Sequence, residues 1–146
     1  ADKNLITKNL SEGLSKYDRS NLKFIPYNDI NRSKKILDKF KKKISCILVE
    51  PIQGGLPNIN AINYLKFLNH YSKKNKIILI FDEMITGLRI NGSSFQSKYN
   101  FKPDITTFGK CFGGGMPIGI IALNKNTEKK IMKLRKKNFF WWNILW

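Results

Sequence analysis

The stretch "KIILIFDE", Lys76 to Glu83, decides how the chain folds. Ile77 to Phe81 are uninterrupted apolar residues rich in β-branching, too short for a buried helix. Such a run reads as a strand buried on both faces, the habit of strands in parallel sheets. "ISCILVE", Ile44 to Glu50, carries the same signature and stops at Pro51, which cannot donate to a ladder. Between the two runs lies a Gly/Pro/Asn loop and then "NAINYLKFLNHYSKKN", where Ile62, Leu65, Leu68 and Tyr71 form one helical stripe. Lysines gather at the end of that helix, as the negative end of a helix dipole prefers. His70 lies off the stripe and reads as a surface residue. Strand, helix, strand predicts an α/β fold with a mostly parallel sheet. "PDITTFGK" (103–110) supplies a third strand, and "MPIGIIAL" (116–123) is a candidate fourth.

Upstream, "NLKFIPYND" reads as an extended piece ended by Pro26 and a turn, with Asn28 or Asp29 placed to cap a helix over roughly 30–43. That helix and a later one within "EKKIMKLRKK" carry apolar residues at helical spacing: Ile36, Leu37, Phe40 and Ile44, then Ile131, Met132 and Leu134. Their lysines therefore read as solvated faces. The chain has 146 residues, 27 Lys+Arg against 10 Asp+Glu and a net charge of +17. Only Arg19, Arg32, Arg89 and Arg135 are arginine. Scattered lysine beside abundant Asn and Ile is what A/T-rich codons produce, so the charge does not call for nucleic acid. A basic nucleic-acid-binding α/β domain stays as the alternative, and its mark would be steeply salt-dependent binding. Cys46 and Cys111 form neither a close pair nor a metal pattern with His70, which suits a reducing, cytoplasmic setting. No apolar run approaches the ~20 residues of a membrane span, and no secretory signal is expected.

In open α/β sheets ligands collect beyond the carboxyl ends of the strands. The residues at those ends are Glu50, Asp82 with Glu83, and Lys110. Asp82 follows an apolar run, so its carboxylate is partly desolvated and wants a partner. It could cap a loop, pair with Arg89, or face a cationic ring nitrogen of a bound cofactor. Lys110 precedes Gly113–Gly115, which let backbone approach a ligand closely. The lysine comes before the glycines, so this is not a nucleotide phosphate loop. An acid and an amine at neighbouring strand tips are the two groups pyridoxal 5'-phosphate needs: the acid keeps its ring nitrogen protonated and the amine forms its Schiff base.

In order and spacing, "ILVEPIQGG", "ILIFDEMITGLR" and "KPDITTFGKCFGGGMPIGI" resemble the central segment of class III pyridoxal-phosphate aminotransferases. The resemblance runs from about Asn21 to Ile121 and is closest to the glutamate-1-semialdehyde aminomutase-like branch. It implies part of the large domain of a fold-type-I transferase. In that family Lys110 would be the Schiff-base lysine and proton shuttle, Asp82 the partner of the pyridine nitrogen, and Met84 the residue packed on the ring face, where a smaller branched residue is usual. Ile85 stands where many ω-aminotransferases carry glutamine near the cofactor's hydroxyl, and an apolar residue there resembles the aminomutase-like branch. After Gln53 the stretch is shorter than the family's acidic-glycine loop. The implied substrate is a small amino or oxo acid and the implied assembly a homodimer, with no nucleic-acid or membrane partner.

The resemblance also implies that residues 1–140 are a partial large domain, lacking the phosphate-holding loop upstream and the small domain downstream. Such a piece is expected to be inactive alone, and a catalytically dead remnant is a further alternative. The end, "NFFWWNILW", is expected to leave the reading frame at Trp141. Removing one T from codons for Phe139–Trp146 turns them into Phe-Phe-Gly-Gly-Thr-Phe-Tyr-Gly, which is family-like. The threonine lost at Asn143 would reach the cofactor phosphate across the dimer.

Overall fold

The computed structural model describes residues 21–57 and 59–135. The out-of-frame reading of Trp141–Trp146 lies outside them. The chain divides into two units, Ala1–Lys42 and Lys43–Trp146.

In the first unit, helix α1 (Ile30–Phe40) starts where Asp29 predicts: its Oδ1 accepts the backbone N–H of Arg32 at 2.9 Å. This satisfies one of the donors orphaned at a helix start. Pro26 closes the same entry turn, its carbonyl accepting the Ser33 hydroxyl at 2.9 Å. The helix stops at Phe40, short of the expected Lys43. Lys41–Lys43 form a turn, and continuing the helix would add Lys43 to the like-charge row of Lys35 and Lys39, each four residues from the next.

The second unit is built on a four-stranded sheet in the order β1-β2-β3-β4. Its strands are β1 (Cys46–Val49), β2 (Ile78–Asp82), β3 (Ile105–Phe108) and β4 (Ile120–Leu123). The first three run parallel and β4 is antiparallel to β3. The α/β reading and the mostly parallel sheet are therefore borne out. The turn of direction at β4 follows from a short connection: only Gly109–Gly119 separate β3 from β4, too few residues for a parallel crossover.

Helix α2 (Ile62–Asn75) lies against β1 and β2. Leu65 and Leu68 are wholly buried and Tyr71 nearly so, which makes the expected stripe the buried face; Tyr64 joins it, and His70 is exposed. Lys76 ends the helix in the left-handed region and donates its N–H to the Lys73 carbonyl. On the sheet, Ile47, Val49, Leu79, Phe81 and Thr106 occupy the covered face.

The opposite face departs from the expectation of two-sided burial. Leu48 is 64% exposed and Ile121 71%, and Ile78 and Leu123 are also open. Among the described residues of this unit, the helix packed on the sheet is α2, against the face opposite these residues. The apolar character of these strands exceeds what a single layer uses.

Two short elements complete the frame. Helix α3 (Phe95–Lys98) is capped by Ser94, whose hydroxyl accepts the Ser97 N–H, and helix α4 spans Lys125–Arg135. Asp104 ties three elements together. Its Oδ2 accepts the Leu79 N–H at 2.9 Å, and its Oδ1 accepts from Asn124 Nδ2 and the Thr127 hydroxyl. It thereby joins β2 to the segment that links β4 to α4.

Candidate functional site

The carboxyl ends of β1, β2 and β3 lie side by side, and each is followed by a turn carrying one of the residues singled out above. In register, Asp82 faces Thr107. Alternation then places Asp82 and Thr107 on the open face of the sheet, and Phe81 and Thr106 on the covered one. Thr107 donates its hydroxyl to Asp82 Oδ1 at 3.0 Å, and the Met84 N–H donates to the same oxygen at 3.0 Å. One carboxylate oxygen is thus aimed by two donors. Among the described residues Oδ2 takes no hydrogen bond, and Arg89 forms no ion pair with Asp82. Of the three uses open to Asp82, pairing with Arg89 is not the one adopted.

Lys110 opens the turn after β3, two residues past Phe108. Its backbone is left-handed, with φ +51°, a conformation that costs a lysine free energy and that surrounding structure must impose. Its side chain is exposed and has no carboxylate partner among the described residues. Adjacent strands are ~4.8 Å apart, and the three residues from Thr107 to Lys110 reach at most ~11 Å. The Cα atoms of Asp82 and Lys110 are therefore no more than ~16 Å apart, within joint reach of two side chains across a small ring.

What imposes the Lys110 turn is the turn after β2. The Met84 thioether lies on Gly109, so close that a Cβ there would overlap both its Cε and Sδ. A Cβ on Gly87 would sit 2.8 Å from Phe108 and 2.9 Å from Phe112, whose rings pair at 5.1 Å between centroids. The Cys111 thiol donates to the Gly87 carbonyl at 2.7 Å. Asp82, Met84 and the Lys110 turn are in this way brought together. Met84, which the resemblance places on a ring face, here meets the backbone at Gly109 beside Lys110.

The loop after β1 joins the same cluster. Glu50 Oε2 accepts the Gly54 N–H at 2.9 Å and folds the Pro51–Gly54 turn back on itself. Ile85 packs on Gly54, where a Cβ would overlap its Cδ1. Glu83, adjacent to Asp82, points the other way and is 0% exposed. Thr107, Gly87 and the role of Glu83 were not singled out from the sequence. The strand carries two threonines, and only the register with β2 shows that Thr107 and not Thr106 shares the face of Asp82.

Comparison with known proteins gives this arrangement its family. The chain matches the class-III aminotransferase family over residues 7–141. It is 43% identical over 119 residues to a glutamate-1-semialdehyde 2,1-aminomutase of Methanococcus vannielii, an alignment covering 79% of this chain and 27% of that protein. Among solved structures it superposes on an ω-transaminase from Sphaerobacter thermophilus with a TM-score of 0.72 and 27% identity, over 82% of this chain and 27% of the other. A transaminase solved with PLP bound gives a TM-score of 0.71 at 26% identity, over 81% and 28%. The chain thus spans about a quarter of the length of the relatives it matches. Three strand-end turns interlocked around an acid and an amine, in a sequence matched nearly end to end, make this chain a member of the class-III aminotransferase family.

Proposed function

We propose that this chain is the pyridoxal-phosphate-holding segment of an enzyme that moves an amino group on a small amino or oxo acid, with Lys110 and Asp82 as its working pair. The observation that carries the reading is the state of the two groups. Asp82 has one oxygen held by Thr107 and Met84 and the other unbonded among the described residues, and the Lys110 amine stands exposed on the next strand tip. These residues fit the cofactor. An oriented carboxylate oxygen suits a protonated ring nitrogen, an unpaired amine suits the aldehyde, and the Met84 thioether beside Lys110 offers a soft surface for a ring face.

When bound, pyridoxal phosphate supplies an electron-withdrawing ring that eases proton loss from an amine-bearing carbon. Asp82 would hold the proton on the ring nitrogen through Oδ2. Lys110 would anchor the cofactor and carry a proton on Nζ between the two carbons concerned. Hydrogen bonds from Thr107 and Met84 keep the carboxylate from turning away. The aminomutase name of the relative supports an amino shift within one molecule, and the ω-transaminase neighbour supports transfer between molecules. A homodimer and a cytoplasmic setting belong to the same reading; the free thiols of Cys46 and Cys111 agree with a reducing compartment. The family match disfavours the nucleic-acid alternative.

Reductive trapping tests this. The chain is mixed with pyridoxal phosphate, reduced with borohydride and mapped by peptide. The label is expected on Lys110, weakened by Asp82→Asn and moved nowhere else by Lys110→Ala. Label spread evenly over the surface lysines would overturn the proposal.

A further inference from the structure

Glu83 is the one wholly buried carboxylate among the described residues, and the reaction proposed above gives it no task. Its surroundings are all donors. Oε2 accepts the Thr86 hydroxyl at 2.9 Å and the Phe95 N–H at 2.6 Å; Oε1 accepts the Gln96 N–H at 2.9 Å. Phe95 and Gln96 begin α3, where backbone N–H groups are orphaned by helix geometry. Its own backbone is engaged as well: the N–H donates to the Thr107 carbonyl at 2.9 Å, and the carbonyl accepts the Gly87 N–H at 2.9 Å.

The segment from Met84 to Ser94 therefore leaves from Glu83 and returns to Glu83. It needs such closure. Leu88 has φ +60° and Asn91 φ +52°, both in the left-handed region, and for leucine that is a strained state. A two-residue Asn91-Gly92 turn closes a small bridge between Ile90 and Ser93, which stiffens the far end of the excursion. The near end carries Met84, whose N–H aims Asp82 and whose thioether seats the Lys110 turn.

We propose that Glu83 is a positioning residue: by clasping the amides of Phe95 and Gln96 it closes the 84–94 excursion onto the end of β2 and so holds Met84 where it orients Asp82. The inference rests on the cofactor reading for its consequence in binding, and on geometry alone for the clasp. Glutamine cannot replace it. Glu83→Gln keeps length and volume but sets an amide NH2 against one of two backbone N–H donors, and a donor facing a donor is left unsatisfied.

The experiment has two arms on the same chain. Amide hydrogen exchange at Met84, Gly87, Phe95 and Gln96 is compared with Ile80 and Phe81 in wild type, Glu83→Gln and the milder Thr86→Val, which removes one bond to the carboxylate while keeping its shape. Met84 is expected to exchange about tenfold faster in Glu83→Gln and a few fold faster in Thr86→Val, with Ile80 and Phe81 nearly unchanged. In the second arm, the pyridoxal phosphate concentration giving half-maximal trapping on Lys110 is expected to rise about tenfold in Glu83→Gln. Unchanged Met84 exchange overturns the inference, as does equal loosening of Ile80 and Phe81, which would mark Glu83 as general support. Loosened Met84 with unchanged trapping overturns it too. A wild-type chain that traps nothing on Lys110 fails the cofactor reading itself, and the exchange arm, which contains no cofactor, tells the two failures apart.

Discussion

Gly87→Ala offers a direct measure of how the two turns of the site are locked together. The added methyl would meet Phe108 Cδ1 at 2.8 Å, the Glu83 carbonyl oxygen at 2.9 Å and Phe112 Cε2 at 2.9 Å. Three contacts below 3.0 Å arise at once, and one is with backbone that already accepts the Gly87 N–H, so no single side chain can swing aside to relieve them. Overpacking of this kind costs ~1–3 kcal/mol. In a domain of this size each kcal/mol lowers Tm by roughly 3–5 °C, so the midpoint is expected to fall by about 3–15 °C. Gly55→Ala is the control, because nothing lies within 4 Å of a Cβ there. It should stay within about 0.5 kcal/mol of wild type. Thermal unfolding followed by circular dichroism reads both. The Phe108–Phe112 pair must also shift in Gly87→Ala, carrying the Lys110 turn with it, so trapping of pyridoxal phosphate at Lys110 should weaken well below the melting range. A Gly87→Ala chain as stable as Gly55→Ala, with trapping intact, would refute the interlocking of the two turns.

Two further outcomes follow from the same geometry. Thr107→Val keeps the shape of the side chain and removes one of two donors to Asp82 Oδ1; on a half-buried carboxylate the loss is expected to be ~1 kcal/mol, a roughly fivefold weaker hold on pyridoxal phosphate by titration, with little change in Tm. Asp104→Ala should act the opposite way, leaving the Leu79 N–H and the Thr127 hydroxyl without their acceptor and Asn124 Nδ2 with the Pro103 carbonyl alone. A loss of ~2 kcal/mol or more in urea unfolding is expected, and a loss below about 0.5 kcal/mol would remove Asp104 from its place as the tie between β2 and the β4–α4 connection.

The apolar runs at Ile44–Val49 and Ile77–Phe81 announce strands because two-sided hydrophobicity over so few residues has no other common use. They carried the α/β assignment and the parallel pairing without any coordinates. Asp82 and Lys110 were legible as strand-end residues for the same reason, since the end of an apolar run marks the end of a strand. The antiparallel β4 was less legible. The sequence shows a fourth apolar run after the glycines, but direction depends on whether the connection can cross back over the sheet.

Residue order along one chain determines spacing and parity, so it specified the strands, the α2 stripe, a helix cap at Asn28 or Asp29, and the acid and amine at neighbouring strand tips. It says nothing of which loop lies on which. Only the tertiary structure decided that Met84 rests on Gly109, that the Phe108 and Phe112 rings fill the space a side chain at 87 would need, and that Glu83 turns inward to clasp amides twelve and thirteen residues away. Those contacts join segments distant in sequence through shape and unpaired donors, quantities that exist only once the strands stand side by side.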